Sequence, residues 1–258
     1  MEFWFLFPVG LLVATISMSS SIAGSNFWIP IYLLWLALEP RVAFWVSLLT
    51  MLFGFGSGVI RNLIAGTVDT HLVKRYLAWV APAAMVGAQA SQHLQVRWLL
   101  LAFAALVSLY GLFLVREFFR DSPNDEGIPE DEIFRWRGSL AGFLQGLIAT
   151  GSGIVLLPLM LRHRRDTPPA VAVGSTVVLV FLASLVSVAL RVDEELWRAL
   201  LDHRLQIFQM IVFAAPGVIL GGQLGPRLAQ RLPRRLLRLY VGALLILVGS
   251  LITARALA

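Results

Sequence analysis

The sequence predicts an all-α integral membrane protein made of two repeats, each a glycine- and serine-broken helical segment followed by three transmembrane helices. Two observations lead to this fold class. The chain is 58% hydrophobic and 14% charged, with a mean hydropathy of +0.80, whereas soluble domains carry about 45–50% apolar and about 25% charged residues. A short polar break that ends at a proline also occurs twice, at residues 22–30 and 148–158.

Apolar runs separated by short charged stretches account for the predicted helices. Each run is near the roughly 20 residues that cross a bilayer. They are Phe44–Ile60, Tyr76–Gln92, Trp98–Val115, Ser139–Leu161, Val171–Leu190, Ile207–Leu224 and Leu236–Ile252. The N-terminal residues 1–5 lack a basic stretch, so the first apolar segment is expected to stay in the mature protein. The chain has no cysteine, which excludes disulfides and thiolate metal sites.

The two repeats, residues 1–118 and 137–258, carry matching motifs in the same order. The first has the break Gly24-Ser25-Asn26 before Pro30, then Pro40, Ala43 and Ser47, then Pro82, Gly87 and Gln89. The second has Gly151-Ser152-Gly153 before Pro158, then Pro169, Ala172 and Ser175-Thr176, then Pro216, Gly221 and Gln223. The spacing from proline to glutamine is the same in both, and each repeat ends in an apolar helix.

A polar segment, residues 119–136, separates the repeats. It is rich in aspartate, glutamate, proline and glycine, which makes it too polar to enter lipid and predicts a solvated linker. An acidic linker of this kind is either a plain loop or a docking site for a partner. The net charge of +6 is explained by loops at anionic headgroups, so we expect a lipid bilayer as the partner and no nucleic acid.

The positions of lysine and arginine distinguish two membrane arrangements, because cytoplasmic loops collect positive charge. If each broken segment crosses once, the 21 lysines and arginines divide 11 against 10. If each segment enters and returns as a hairpin, one side holds six arginines and the other holds the remaining 15 of 21. The six are Arg41, Arg97, Arg191, Arg198, Arg204 and Arg255. The hairpin arrangement obeys the rule, inverts the repeats, and places the linker in the cytoplasm.

The breaks are the predicted binding site. Paired helix-breaking segments in matching halves of a membrane protein point to a transporter's site, and free backbone N–H groups at helix starts attract anions. The candidate binding residues are Gly24, Ser25, Asn26, Ser47, Gln89, Gly151, Ser152, Gly153, Ser175, Thr176 and Gln223. Close helix packing is the alternative role of the glycines, and interhelical hydrogen bonding is the alternative role of the glutamines.

Two arginines, Arg61 and Arg191, each end the second helix of their repeat. They are candidate gates at the two mouths of an anion path, with snorkelling to the headgroups as the alternative. The spans lack a buried aspartate or glutamate, which argues against a proton relay or sodium site built on a carboxylate.

Enzymatic chemistry has little support in the sequence. The four histidines lie apart, without metal-ligand spacing. The glycine cluster at residues 54–58 lacks the strand and the downstream acid of a nucleotide loop. We therefore expect no enzyme activity, no metal and no cofactor.

The ordered motifs resemble the sulfite exporter family TauE/SafE. The residues that carry the resemblance are Ala149–Gly153 through Pro158, Pro169 to Thr176, and Pro216 to Gly225, with looser matches in the first repeat. The resemblance implies a secondary transporter of the plasma membrane that exports small sulfur-containing anions, such as sulfite or organosulfonates. The first repeat departs from the family's denser glycine cluster, because Ser19–Asn26 is rich in serine, and this segment is where substrate preference would differ.

The expected mechanism is alternating access at a midplane site between the repeats. The alternative function is a non-transporting membrane subunit that assembles a partner complex through the acidic linker, and a membrane enzyme is a weaker third. A homodimer is compatible with the sequence, which does not fix the driving ion.

Overall fold

The structure is a computed structural model that describes residues 3–20, 23–119, 132–150, 152–163, 168–231 and 234–257. Within these ranges the chain is helical and contains no strand. The first repeat forms α1 (Leu6–Ser20), α2 (Ser25–Pro30), a π-helical turn (Ile31–Trp35), α3 (Pro40–Ile64), α4 (Thr70–His93) and α5 (Val96–Phe119). The second forms α6 (Glu132–Ile148), α7 (Gly153–His163), α8 (Pro169–Leu190), α9 (Glu194–Asp202), α10 (Arg204–Arg231) and α11 (Arg234–Leu257).

Five helical stretches in the described part of the chain are long and apolar enough to cross a bilayer. They are Pro40–Ile64, Val96–Phe119, Ala170–Leu190, Arg204–Gly225 and Leu239–Leu257. Each contains most of one predicted apolar run. The predicted run Tyr76–Gln92 lies within α4, which has 24 residues but falls outside this apolar set.

The predicted linker, residues 119–136, is shorter in the structure. Phe119 still belongs to α5, and residues 132–136 belong to α6. The remaining residues, 120–131, lie outside the described ranges.

Both broken segments are interrupted helices, as their glycine and serine content predicts. In the second repeat α6 ends at Ile148, Ala149 adopts a left-handed backbone with φ of +55°, and α7 begins at Gly153. A left-handed residue other than glycine is uncommon and marks a sharp turn. The prolines do not close the breaks, because Pro30 and Pro158 each occupy the sixth residue of the following helix. Pro30 has no N–H to donate, and the chain continues from it as the π-helical turn.

Helices of one repeat pack against helices of the other. The backbone of α1 contacts α10, where Gly217 lies against the Phe7 carbonyl and Gly221 against the Leu11 carbonyl. In the same way Gly142 and Gly146 of α6 lie against carbonyls of α4. Both pairs are parallel, because the contacting residue numbers rise together. The repeats are therefore interlocked and do not form two separate domains.

The corresponding helices α3 and α8 are antiparallel neighbours. Near the start of α3 the Trp45 indole nitrogen donates to the Val188 carbonyl near the end of α8, at 3.0 Å. Just beyond the other end of α3, the Asp69 backbone N–H donates to Ser175 Oγ near the start of α8, at 2.9 Å. The last helices α5 and α11 are also antiparallel, since Gly111 contacts Gly242 and Gly249 contacts Ala104.

These directions show that the chain reverses its direction within each broken segment. Gly54 of α3 contacts Val218 of α10 and Ser57 contacts Gly222, so α3 runs parallel to α10 and hence to α1. Residues 23–39 must therefore carry the chain back to the side where α3 begins. In the second repeat α6 and α8 are both parallel to α4, and α7 makes the return. The hairpin arrangement, which the charge count favours, requires such a reversal in both segments.

Candidate functional site

A cavity of about 330 Å³ lies between the repeats at the end of α3. Its walls come from α1, both broken segments, α3, α7, α8 and α10. The lining residues are Ser17, Met18, Ala23, Phe55, Gly58, Arg61, Asn62, Ala65, Thr67, Gly153, Leu157, Ala170, Val173, Thr176, Val177, Val180 and Gly222. The antiparallel packing of α3 and α8 brings the end of one helix beside the start of the other, so both repeats contribute to one space.

Arg61 is the one charged residue among the described residues that line this cavity. Its Nη1 donates to the Gln223 carbonyl at 3.3 Å, and a neutral acceptor leaves the positive charge uncompensated. Beside it, Asn62 Nδ2 donates to the Gly58 carbonyl at 2.8 Å, and Thr67 Oγ1 donates to Asn62 Oδ1 at 2.9 Å. A single cation among neutral hydrogen-bonding groups, with apolar side chains around it, is suited to a small anion.

The second break is held by Gln145, a fully buried side chain of α6. Its Oε1 accepts from the Ser152 backbone N–H at 2.8 Å, and its Nε2 donates to Ser184 Oγ at 2.9 Å. The amide thereby satisfies a backbone N–H at the start of α7, where no intrahelical acceptor exists. Gly153 begins α7 and lines the cavity, whereas Ser152 Oγ is buried without a partner in the described structure.

The first break buries polar groups that are not paired. Ser25 and Asn26 are fully buried at the start of α2. Ser25 Oγ and both polar atoms of the Asn26 amide lack a hydrogen-bond partner in the described structure. Unpaired buried polar groups are costly and are rare in folded proteins. These groups lie at the start of α2, close in the chain to Ala23, which lines the cavity.

The structure brings some of the predicted residues together and separates others. Gly153, Thr176 and Arg61 line the cavity. Ser25, Asn26, Ser152 and Gly24 lie at the breaks and are buried, outside the lining set. Gly151 falls outside the described residues.

Four other predicted residues have local structural partners or lie elsewhere. Ser175 Oγ accepts from the Asp69 N–H, Ser47 Oγ donates to the Ala43 carbonyl, and Gln223 Nε2 donates to the Ser57 carbonyl. Gln89 is exposed on α4. For Gln223 the structure thus has the interhelical hydrogen bond that the sequence left as the alternative.

Sequence reasoning missed Asn62, Thr67 and Gln145. Asn62 directly follows Arg61 at the end of an apolar helix, and Gln145 is the one amide in the apolar stretch 138–148. These isolated polar residues were visible in the sequence as exceptions to their surroundings. What they contact was not visible, because their partners depend on backbone carbonyls and on other helices.

The second candidate gate, Arg191, lies at the opposite end of α3. Its guanidinium stands 5.4 Å from the centre of the Phe44 ring, near the start of α3. The residue is 6% exposed, and burial lowers its pKa to about 10, so the group stays positively charged at neutral pH. Since Phe44 and Arg61 are 17 residues apart on one helix, the two arginines are about 25 Å apart along it.

Comparisons with known proteins identify the family of the chain. Residues 6–252 match the model of the family described as sulfite exporter TauE/SafE. The chain is 23% identical over 273 aligned residues to a probable membrane transporter protein, YunE, of Bacillus subtilis (strain 168), covering 96% of each chain. No solved structure matches the chain significantly. The chain therefore belongs to the sulfite exporter TauE/SafE family, a family of membrane transporters and not of enzymes, and is a multi-pass protein of the cell membrane.

Proposed function

We propose that this protein is a secondary transporter that exports small sulfur-containing anions, such as sulfite or organosulfonates, by alternating access between its two repeats. The observation that carries the proposal is the shared cavity. Both repeats line it, Arg61 supplies one positive charge, and none of its described lining residues is acidic. A cavity with this lining attracts an oxyanion, because its described residues carry a positive charge and no negative charge.

The chemistry of the lining suits a sulfonate or sulfite group. An arginine presents planar N–H donors that match paired oxyanion oxygens, and Thr67 and Thr176 line the same cavity. Apolar side chains from Phe55, Leu157 and Val177 complete the wall and would accept a short organic substituent. The family name specifies sulfite, and the presence of one cation favours a singly charged anion.

The direction of opening follows from the distribution of positive charge. The cavity lies at the end of α3, on the side where the hairpin arrangement places 15 of the 21 lysines and arginines. Cytoplasmic faces of membrane proteins collect these residues, so we assign this conformation to the state that loads substrate from the cytoplasm. The antiparallel α3 and α8 support an inverted-repeat architecture, in which one repeat moves against the other to expose the opposite side.

Flux through purified protein in liposomes tests the proposal. We expect efflux of sulfite and of methanesulfonate from vesicles that contain the wild-type protein. Gly153→Leu should reduce this flux by about tenfold or more, because the added side chain enters the cavity beside Arg61. Thermal unfolding and gel filtration verify that the variant folds. Absence of flux for every small anion, from a wild-type protein that is folded, would contradict transport and favour the scaffold function.

A further inference from the structure

A second group of polar side chains lies at the end of the molecule opposite the cavity. Arg191, at the end of α8, shares a space of about 20 Å³ with Arg41, Phe44, Ser91, Gln92, Leu99, Asp193 and Leu196. A space of this size holds about one water molecule. It is too small for a sulfite or sulfonate group.

One nitrogen of the Arg191 guanidinium has no hydrogen-bond acceptor in the described structure. Its Nε donates to Ser91 Oγ at 3.2 Å and its Nη2 donates to the Leu147 carbonyl at 2.7 Å. Its Nη1 is buried and has no hydrogen-bond partner in the described structure. Both acceptors are neutral, and no carboxylate of the described residues is paired with Arg191. A buried cation without a counter-ion is costly, and its free N–H groups are available to an anion.

Asp193, an acid that lines the same space, makes its contacts with groups other than Arg191. Its Oδ2 lies 3.4 Å from Arg41 Nη1, and its Oδ1 accepts from the Leu196 N–H at 2.7 Å. The same Arg41 Nη1 lies 2.6 Å from Glu195 Oε2, and Arg41 Nη2 donates to the Gln92 carbonyl at 3.2 Å. Arg41 therefore ties the start of α3 to the end of α4 and to the segment that begins α9.

Leu147 links this group to the second break. Its carbonyl is one of the last four of α6, which have no intrahelical partner, and Ala149 turns sharply two residues later. A positive charge at this end of α6 is also favoured by the helix dipole. A structural role accounts for the Nη2 bond and for the contact of the guanidinium with the Phe44 ring, but neither gives the buried Nη1 a hydrogen-bond acceptor.

We propose that Arg191 forms a second, outer binding subsite for the transported sulfonate or sulfite anion, and that the ion pairs of Arg41 keep this subsite closed in the present conformation. The inference rests on the proposed transport function. On opening, the Arg41 contacts to Asp193 and Glu195 break and the space beside Nη1 widens. The anion then leaves Arg61 at the cytoplasmic side and meets Arg191 at the outer side before release.

Cysteine labelling tests the closed subsite, because the chain has no cysteine of its own. Leu99→Cys places a thiol in the wall of the small space, at a side chain that is 2% exposed. We expect slow reaction of this thiol with a water-soluble maleimide in the purified full chain. Adding Arg41→Gln should speed the reaction about fivefold, the effect of losing partly exposed ion pairs. Arg198→Gln, which removes an exposed arginine of α9, is the matched control and should leave the rate unchanged.

Anion protection then tests binding to Arg191. In the chain with Arg41→Gln and Leu99→Cys, saturating methanesulfonate should slow labelling about threefold or more, since the bound state excludes the reagent. Dimethyl sulfone, its neutral counterpart, should not protect. Arg191→Gln should abolish the protection. If this variant does not fold, the comparison of methanesulfonate with dimethyl sulfone decides by itself.

Three results would overturn the inference: an unchanged labelling rate with Arg41→Gln, equal protection by both compounds, or protection that persists with Arg191→Gln. Flux by the wild-type protein is measured separately. Flux without protection refutes the outer subsite alone. Protection without flux of any anion would support anion binding at Arg191 and would refute transport.

Discussion

Arg61 is the residue to which we attribute the proposed preference of the cavity for anions. It lines the cavity together with Asn62 and Thr67, and its bonded acceptor is a backbone carbonyl, not a carboxylate. A guanidinium held in this way can exchange its weak 3.3 Å contact for an oxyanion without first breaking an ion pair.

We expect Arg61→Gln to lower anion flux by about 10- to 100-fold, the usual effect of losing a charged hydrogen bond. Arg61→Lys should keep part of the flux, because it retains the charge but not the planar donor pair. Liposome efflux and the rise in melting temperature with added methanesulfonate measure both effects. An exposed arginine, Arg198, is the control, and equal losses from Arg61→Gln and Arg198→Gln would refute the role of Arg61.

Asn26 is a residue at which function and stability are expected to oppose each other. Its amide is fully buried without a hydrogen-bond partner in the described structure. We predict that Asn26→Leu raises the free energy of unfolding by about 1–3 kcal/mol, because it removes an unpaired polar group. The same change should reduce flux if the amide meets substrate during transport.

Asn62→Leu is the contrasting variant, since Asn62 makes two hydrogen bonds. It should lower stability by about 1 kcal/mol. Thermal unfolding in detergent measures the stability of the Asn26→Leu and Asn62→Leu variants. A loss of stability with Asn26→Leu would mean that its amide is bonded in the folded protein, and unchanged flux would remove it from the site.

At the scale of elements, α6 owes its position to glycines that let it approach α4 closely. A Cβ built on Gly142 would collide with the Val80 carbonyl, and one on Gly146 with the Ala84 carbonyl. Small residues at helix contacts are typical of membrane proteins. Since α6 carries Gln145 and leads into the second break, this contact sets where the break lies.

Gly142→Ala and Gly146→Ala should each destabilise the protein by about 1–3 kcal/mol through overpacking. Gly138, on the same helix, is the matched control, because a Cβ there would lie 3.9 Å from its nearest neighbour. We expect Gly138→Ala to be neutral, or stabilising by up to about 1 kcal/mol through helix propensity. Thermal unfolding of the three variants checks this. Similar melting temperatures for all three would show that α4 and α6 are not in close contact.

At the scale of the whole molecule, the described helices pair across the repeats in a pattern that is unchanged when the repeats are exchanged. The helix before each break packs on the second of the three long helices that follow the break in the other repeat, α1 on α10 and α6 on α4. In addition, α3 faces α8 and α5 faces α11. This exchange symmetry is what an inverted repeat requires, and it places the cavity and Arg191 at opposite faces.

Cysteine labelling at the positions of two exposed histidines can show which face is cytoplasmic. His71 begins α4 at the face of the cavity, and His203 precedes α10 at the face of Arg191. In intact cells we expect an impermeant maleimide to label His203→Cys, and to label His71→Cys only after the membrane is permeabilised. The chain has no native cysteine, so labelling is specific. The reverse pattern would place the cavity outside and contradict loading from the cytoplasm.

The sequence by itself determined the membrane class, the all-helical fold and the places where the helices break. These follow from local properties, namely the length of apolar runs and the clustering of glycine and serine at the breaks. Gly153 was predicted because it lies at a break, Thr176 because it belongs to a motif found in both halves, and Arg61 because it ends an apolar run.

Only the tertiary structure decided which polar groups share a space and that the chain reverses direction within each broken segment. Gln89 and Gln223 occupy matching places in the sequence, yet one is exposed and the other bonds to Ser57 of α3. The difference arises because partners are chosen by contact between helices about 100 to 200 residues apart. The shape of those surfaces, with glycine backbones fitted against carbonyls, is a property of the packed molecule and not of any one segment.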